Sequence, residues 1–151
     1  MSSLEGIIVD DSRCFACGPE NPVGLKLKFS IEPGSGRAVC KTTLADHFSG
    51  WKGAAHGGII TTLLDETMVY ACSSTGVFTV TGTITVKFHR PVPVSREITI
   101  TGEVDEKRER HIKTSGKISY QGKILANAHA VLIPVKKADD AMDQIRNRLI
   151  P

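Results

Sequence analysis

Apolar and polar positions along this chain change their period twice. Leu25, Leu27, Phe29 and Ile31 alternate with polar residues, the mark of a half-buried strand. Gly34-Ser35-Gly36 signals a hairpin turn, and Arg37 to Leu44 reads as the returning strand. Between Ile59 and Cys72 the period becomes helical. Ile60, Leu63, Leu64, Met68, Ala71 and Cys72 recur at steps of three and four, and Ile59, Val69 and Tyr70 carry the stripe most of the way round. A helix apolar on nearly every side belongs in the interior; this one is expected to end around Ser73 to Gly76.

From there the period returns to two. In the next strand Val80, Ile84, Val86 and Phe88 are expected on one face and Thr79, Thr81, Thr83, Thr85 and Lys87 on the other. Gly82 is a place where a bulge could shift that register. Pro91-Val92-Pro93 breaks the strand. Ile98, Ile100 and Val104 mark another, running out at a charged turn from Asp105 to Arg110. Ile112, Ile118 and Tyr120 mark a third, closed by Gln121-Gly122, and Ile124 to Val135 a fourth. The small side chains of Ala126, Ala128 and Ala130 on one face of the last predict a closely approaching helix. Asp139 to Leu149, with Met142, Ile145 and Leu149 as its stripe, reads as a short terminal helix. Its acids precede its arginines, as the helix dipole prefers.

The expected architecture is α+β: an antiparallel sheet of about six strands around one long central helix, plus a short C-terminal helix. Residues 1–151 are expected to form one domain, with 1–24 as an N-terminal extension and 138–151 as the terminal helix. One helix covers one face of such a sheet, so a second copy of the chain is expected as partner.

Composition narrows the function classes. The 151 residues carry a formal charge of +3 with no basic run of the kind a nucleic-acid groove needs. No stretch approaches a membrane span, and Met1 to Asp11 lacks the basic start and apolar run of a secretory signal. A cytoplasmic protein without nucleic-acid or membrane partners is expected. Four cysteines, one on the buried helix, do not form a disulfide framework. Cys14-Phe-Ala-Cys17-Gly18 is half of a zinc knuckle whose second half is missing. The default reading is two reduced thiols in an ordered loop, with no metal and no cofactor; zinc is the alternative, and it would need histidines or a second chain to complete its ligands.

The candidate chemistry lies on the central helix. Asp65 and Glu66 sit mid-helix, where charge is expensive to bury, and at 100° per residue they face different ways. At the start of the helix, Gly57 and Gly58 leave the first backbone N–H groups unshielded, at the positive end of the dipole. That is a place for a carbonyl or an oxyanion; the same glycines could instead serve only close packing.

His56-Gly57-Gly58, an acid nine residues after the histidine, and this strand order resemble the hotdog-fold acyl-CoA thioesterases of the PaaI type. The resemblance covers roughly Leu25 to Val135, and Cys14/Cys17 is similar to an extension found in a subset of them. It implies that Asp65 attacks the thioester or activates water. It further implies that the Gly57 N–H polarises the carbonyl and that His56 shapes the helix start. Thr81 would position the water, with Thr83 as the nearby alternative. Some members carry an asparagine six residues before the histidine; here that position is Gly50. Gly58 and the cations Arg90 and Arg108 are candidate contacts for the substrate, coenzyme A entering only as part of it. Lys87, Arg96 and Arg110 are further cations that phosphates could use.

Gly57 and Asp65 are eight residues apart, about 12 Å of helical rise. One helix cannot easily offer both to one carbonyl, so a site composed across a two-fold axis is expected, in a homodimer or a dimer of dimers. Two other readings stay open. One is a dehydratase or hydratase on acyl thioesters, using His47 or His89 with Asp65. The other is a non-catalytic acyl-CoA-binding module.

Overall fold

A computed structural model describes residues 12–135 of the chain. The expected terminal helix, 138–151, lies outside the described residues, as does the start of the N-terminal extension. The elements run β1 (Ser30–Ile31), β2 (Arg37–Thr43), a 3-10 turn (Asp46–Phe48), α1 (Gly57–Ser73), β3 (Phe78–Phe88), β4 (Glu97–Lys107), β5 (Ile112–Tyr120) and β6 (Lys123–Val135). The strands form one antiparallel sheet in the order β1-β2-β4-β5-β6-β3. This is the hotdog architecture, with α1 seated against one face of the sheet.

The helix buries the stripe that its sequence draws. Ile60, Leu63, Leu64, Met68, Ala71 and Cys72 are all buried, joined by Thr67, whose hydroxyl donates to the Leu63 carbonyl. Across the sheet from them runs a row of small residues: Ala38 pairs with Gly102, Gly102 with Gly116, and Gly116 with Ala128. A Cβ on Gly102 would come within 2.8 Å of the Thr67 carbonyl oxygen, and one on Gly116 within 3.3 Å of the Leu64 and Met68 side chains. An isolated glycine inside a strand is a known sign of close backbone approach, and here two adjacent strands carry one.

Two strands depart from expectation. Leu25–Phe29 does not continue β1: Lys26 has φ 50°, and the N–H groups of Leu25 and Leu27 donate to the carbonyls of Phe15 and Ala16. The N-terminal segment thus takes the partner role that a longer hairpin would have filled. In β3 the register does shift between Thr81 and Thr83, at Gly82. The extra residue reverses the alternation halfway along the strand, so the expected faces are corrected. Thr79 and Thr81 lie on the helix side with Ile84 and Val86, opposite Pro134, Leu132, Ala130 and Ala128, while Val80 and Thr83 face outward. A second correction concerns the β4–β5 turn. β4 runs on through a further irregularity to Lys107, and the turn is confined to Arg108–His111, where the Arg108 N–H donates to the His111 carbonyl. Gln121-Gly122 closes β5 to β6 with φ of 50° and 75°, as a two-residue hairpin requires.

β3 is an edge strand. Its inner side pairs with β6 over nearly its whole length, and its outer side has no partner strand among the described residues.

Candidate active site

The start of α1 is fixed by the loop before it. The Ala55 N–H donates to the Val92 carbonyl, the His56 N–H to the Phe48 carbonyl and the Val94 N–H to the Gly53 carbonyl. These bonds tie residues 53–56 to the 3-10 turn at Phe48 and to residues 92–94. His56 is the helix N-cap: its backbone is extended, and its ring Nδ1 accepts from the Gly58 N–H at 2.9 Å.

That cap divides the roles of the two glycines. The Gly58 N–H is occupied, whereas the Gly57 N–H has no acceptor among the described residues. Close packing does not explain Gly57, because a Cβ there would meet only the Phe88 ring at 3.7–3.8 Å, an ordinary contact. Gly50 is different: a Cβ there would come within 3.1 Å of the His56 Cα, so the loop lies close against His56. A groove of about 310 Å³ opens beside the helix start, lined by His47, Phe48, His56, Gly58, Ile59 and Thr62. Phe88 and Trp51 are exposed large hydrophobic residues.

Two turns further along, Asp65 Oδ1 accepts a 2.7 Å hydrogen bond from the Thr81 hydroxyl. The bulge at Gly82 is what presents Thr81 on the helix side; Thr83, one step beyond, faces out. Burial pushes the Asp65 carboxyl above its ordinary range, and the Thr81 bond partly opposes that shift. Asp65 is half-buried, next to the sheet edge that β3 forms.

The cations lie at opposite ends. Arg90 follows β3 near the helix start, and its N–H donates to Leu125. It lines a groove of about 500 Å³ together with His89 and Lys117. Arg108 lies beyond the other end of α1, beside Lys107, whose ammonium reaches the Thr75 hydroxyl, and Arg108 itself pairs with Glu106. Within one chain these two cations do not converge on a common ligand. Neither histidine considered for the dehydratase reading joins Asp65: His89 hydrogen-bonds Asn127, and the His47 ring lies against Phe48.

Glu66, the next residue after Asp65, points to a separate cluster. Cys14 Sγ lies 3.7 Å from Glu66 Oε1, and one ligand atom from each of Cys14, Cys17 and Glu66 falls within 4.8 Å of the others. Spacing in the sequence shows the thiol pair but cannot show that the helix supplies a carboxylate to it.

A helix held in an antiparallel sheet, with an unspent N–H at its start and an acid near the sheet edge, defines the class: a hotdog protein. The thioesterase superfamily model matches residues 52–125 of this chain. It is 26% identical over 121 residues to acyl-coenzyme A thioesterase THEM4 of Xenopus laevis, which covers 78% of this chain and 53% of that protein. The chain therefore spans about half the length of this curated relative. Among solved structures, a thioesterase superfamily protein superposes with a TM-score of 0.75 at 25% identity, covering 81% of this chain and 60% of that one. The PaaI protein of E. coli, from its phenylacetic acid degradation operon, superposes at 0.68 and 25% identity, covering 74% of this chain and 80% of its own.

Proposed function

We propose that this chain hydrolyses acyl-CoA thioesters to the free acid and coenzyme A. The observation that carries the reading is the Asp65–Thr81 hydrogen bond beside the open edge of β3, on the same helix whose Gly57 N–H is unspent. Asp65 is the base or nucleophile. As a base it takes a proton from water while the water oxygen attacks the thioester carbonyl carbon. The carbonyl oxygen becomes an oxyanion that accepts from the Gly57 N–H. Collapse of the tetrahedral species expels the thiolate, which takes the proton back from Asp65. A preset donor for the oxyanion is typically worth about 3 kcal/mol. His56 serves by holding the Gly58 N–H, so that the first N–H of the helix is the one presented.

The site is composite. The ~12 Å of helical rise between Gly57 and Asp65 exceeds what one carbonyl and its attacking water span. A second copy of the chain adding along β3 brings its own helix start towards this Asp65. The long unpaired edge supports this, since such edges are usually covered or blunted. Thr81 orients the carboxylate, and Arg90, in the segment that follows β3, is the cation for coenzyme A phosphates.

The test is thiol release from a panel of short, medium and aryl acyl-CoAs, with Asp65→Asn as control. Release by the native chain and not by the variant is expected. An acyl-CoA that binds without being cleaved would instead establish the binding module. Mixing Asp65→Ala chains with chains altered at Gly57 should restore part of the activity; failure to complement in a demonstrated mixed dimer defeats the composite arrangement.

A further inference from the structure

The structure assigns a second site to the opposite side of α1: we propose that Cys14, Cys17 and Glu66 bind a zinc ion that fastens the N-terminal segment to the central helix. The chain from Cys14 to Gly18 is a tight knuckle, closed by the Gly18 N–H donating to the Cys14 carbonyl at 2.8 Å. Only glycine fits at its end, because a Cβ on Gly18 would lie 2.4 Å from the Cys14 nitrogen. The knuckle turns both thiols to one side, and Glu66 meets them from the helix, with all three residues half-buried.

Three properties favour a divalent cation over a thiol–disulfide couple. The donor set is two sulfurs and a carboxylate oxygen within 4.8 Å of one another, a span that a tetrahedral zinc with bonds of about 2.0–2.3 Å can draw together. Reactive thiols need an electropositive setting. Here the two thiols instead face the Glu66 carboxylate, with Cys14 Sγ 3.7 Å from Glu66 Oε1. A cation reverses that setting by neutralising the groups that crowd there, and coordinated thiols bind deprotonated. Finally, the donors come from two elements far apart in sequence, so binding stabilises the fold by joining them. The fourth position is left to water. Cys17 belongs to the segment that supplies carbonyl partners to Leu25 and Leu27, so the metal also anchors the run into β1.

The experiment uses the full chain, without a metal-binding tag, purified under reducing conditions and loaded with zinc or cobalt. One zinc per chain is expected by elemental analysis. Cobalt loading should give the near-ultraviolet thiolate-to-cobalt absorption band, and chelation should lower the melting temperature. Cys14→Ser and Cys17→Ser should abolish both zinc and the band, and Glu66→Gln should weaken binding at least about tenfold. Asp65→Asn, one residue away, should keep the full metal content. If the cysteine variants do not fold, cobalt absorption by the native chain still decides. A folded, fully reduced native chain that takes up no metal overturns the proposal, as does zinc retained by the folded double serine variant. So does a Cys14–Cys17 disulfide that persists in the reducing preparation. None of these outcomes depends on thioesterase activity.

Discussion

Asp65 and Glu66 are chain neighbours of the same charge type on one helix, yet their surroundings share nothing. Asp65 turns to the last strand of the sheet and meets a hydroxyl, Thr81, with the open edge of β3 beyond it. Glu66 turns to the N-terminal segment and meets two thiols. The 100° step between successive residues makes the difference. A mid-helix acid is therefore not informative by itself; what it faces decides what it can do. A partly buried carboxylate with one hydrogen bond is poised to take a proton, whereas a carboxylate between two thiols is poised to hold a cation.

Exchanging the two acids for their amides is the sharpest way to break this comparison. Asp65→Asn should lower kcat/KM for acyl-CoA by 10²-fold or more, on the order of what a positioned base contributes. Glu66→Gln should cost less than about tenfold, acting only through stability. Equal losses would show that the two faces are not separate. Because burial raises the Asp65 pKa in the folded chain, its ionised form destabilises the fold. The penalty is absent below the ordinary carboxylate range and is complete once the pH exceeds the raised value. Asp65→Asn should accordingly stabilise the chain at neutral pH by roughly 1 kcal/mol while abolishing activity, which thermal melting reads directly.

Gly57→Pro tests the other end of the same helix. Proline is tolerated at the first helical position, and the extended His56 backbone suits a residue before proline. The substitution removes one N–H and little else. Loss of roughly 10²–10³-fold in kcat with an unchanged melting temperature is expected; unchanged kcat would show that this N–H does not serve the oxyanion.

Gly102→Ala is a packing test away from both acids. Its Cβ would strike the Thr67 carbonyl, so a loss of about 1–3 kcal/mol in denaturant unfolding is expected. The smallest effect belongs to Thr81→Val. Removing the hydroxyl deletes the one interaction that lowers the Asp65 pKa, so the acidic limb of the rate profile should move to higher pH. A roughly fivefold fall in kcat should accompany it, the worth of a single hydrogen bond. A limb that moves to lower pH would contradict the assigned geometry.

The fold was legible because its core helix and strands obey their periods: the buried face of α1 is the stripe from Ile60 to Cys72 with Thr67 added, while Ile59, Val69 and Tyr70 stay half-buried at its flanks. What periodicity could not reach were contacts between distant segments. Gly82 signalled a bulge, but strict alternation put Thr81 and Thr83 on one face, and only the register with β6 separates them. The Gly102–Gly116 pair was readable as close approach in principle, yet alternation counts pass over glycine. The opening strand failed because Lys26 takes a left-handed backbone and the preceding loop supplies the hydrogen bonds. At the helix start, spacing named both glycines; the His56 ring, bonded to Gly58, is what distinguishes them.

The glycine row beneath Thr67 carries a last consequence. With the backbone of the helix so near the strands, no tunnel for a fatty tail can pass between them at that level of the barrel. In the composite thioesterase proposed above, a long acyl chain would therefore run outside the helix–sheet interior, along the seam between two copies. Tail-length preference would then be set by how the copies meet, and residues remote from Asp65 along that seam are where selectivity could be retuned without touching the proposed chemistry.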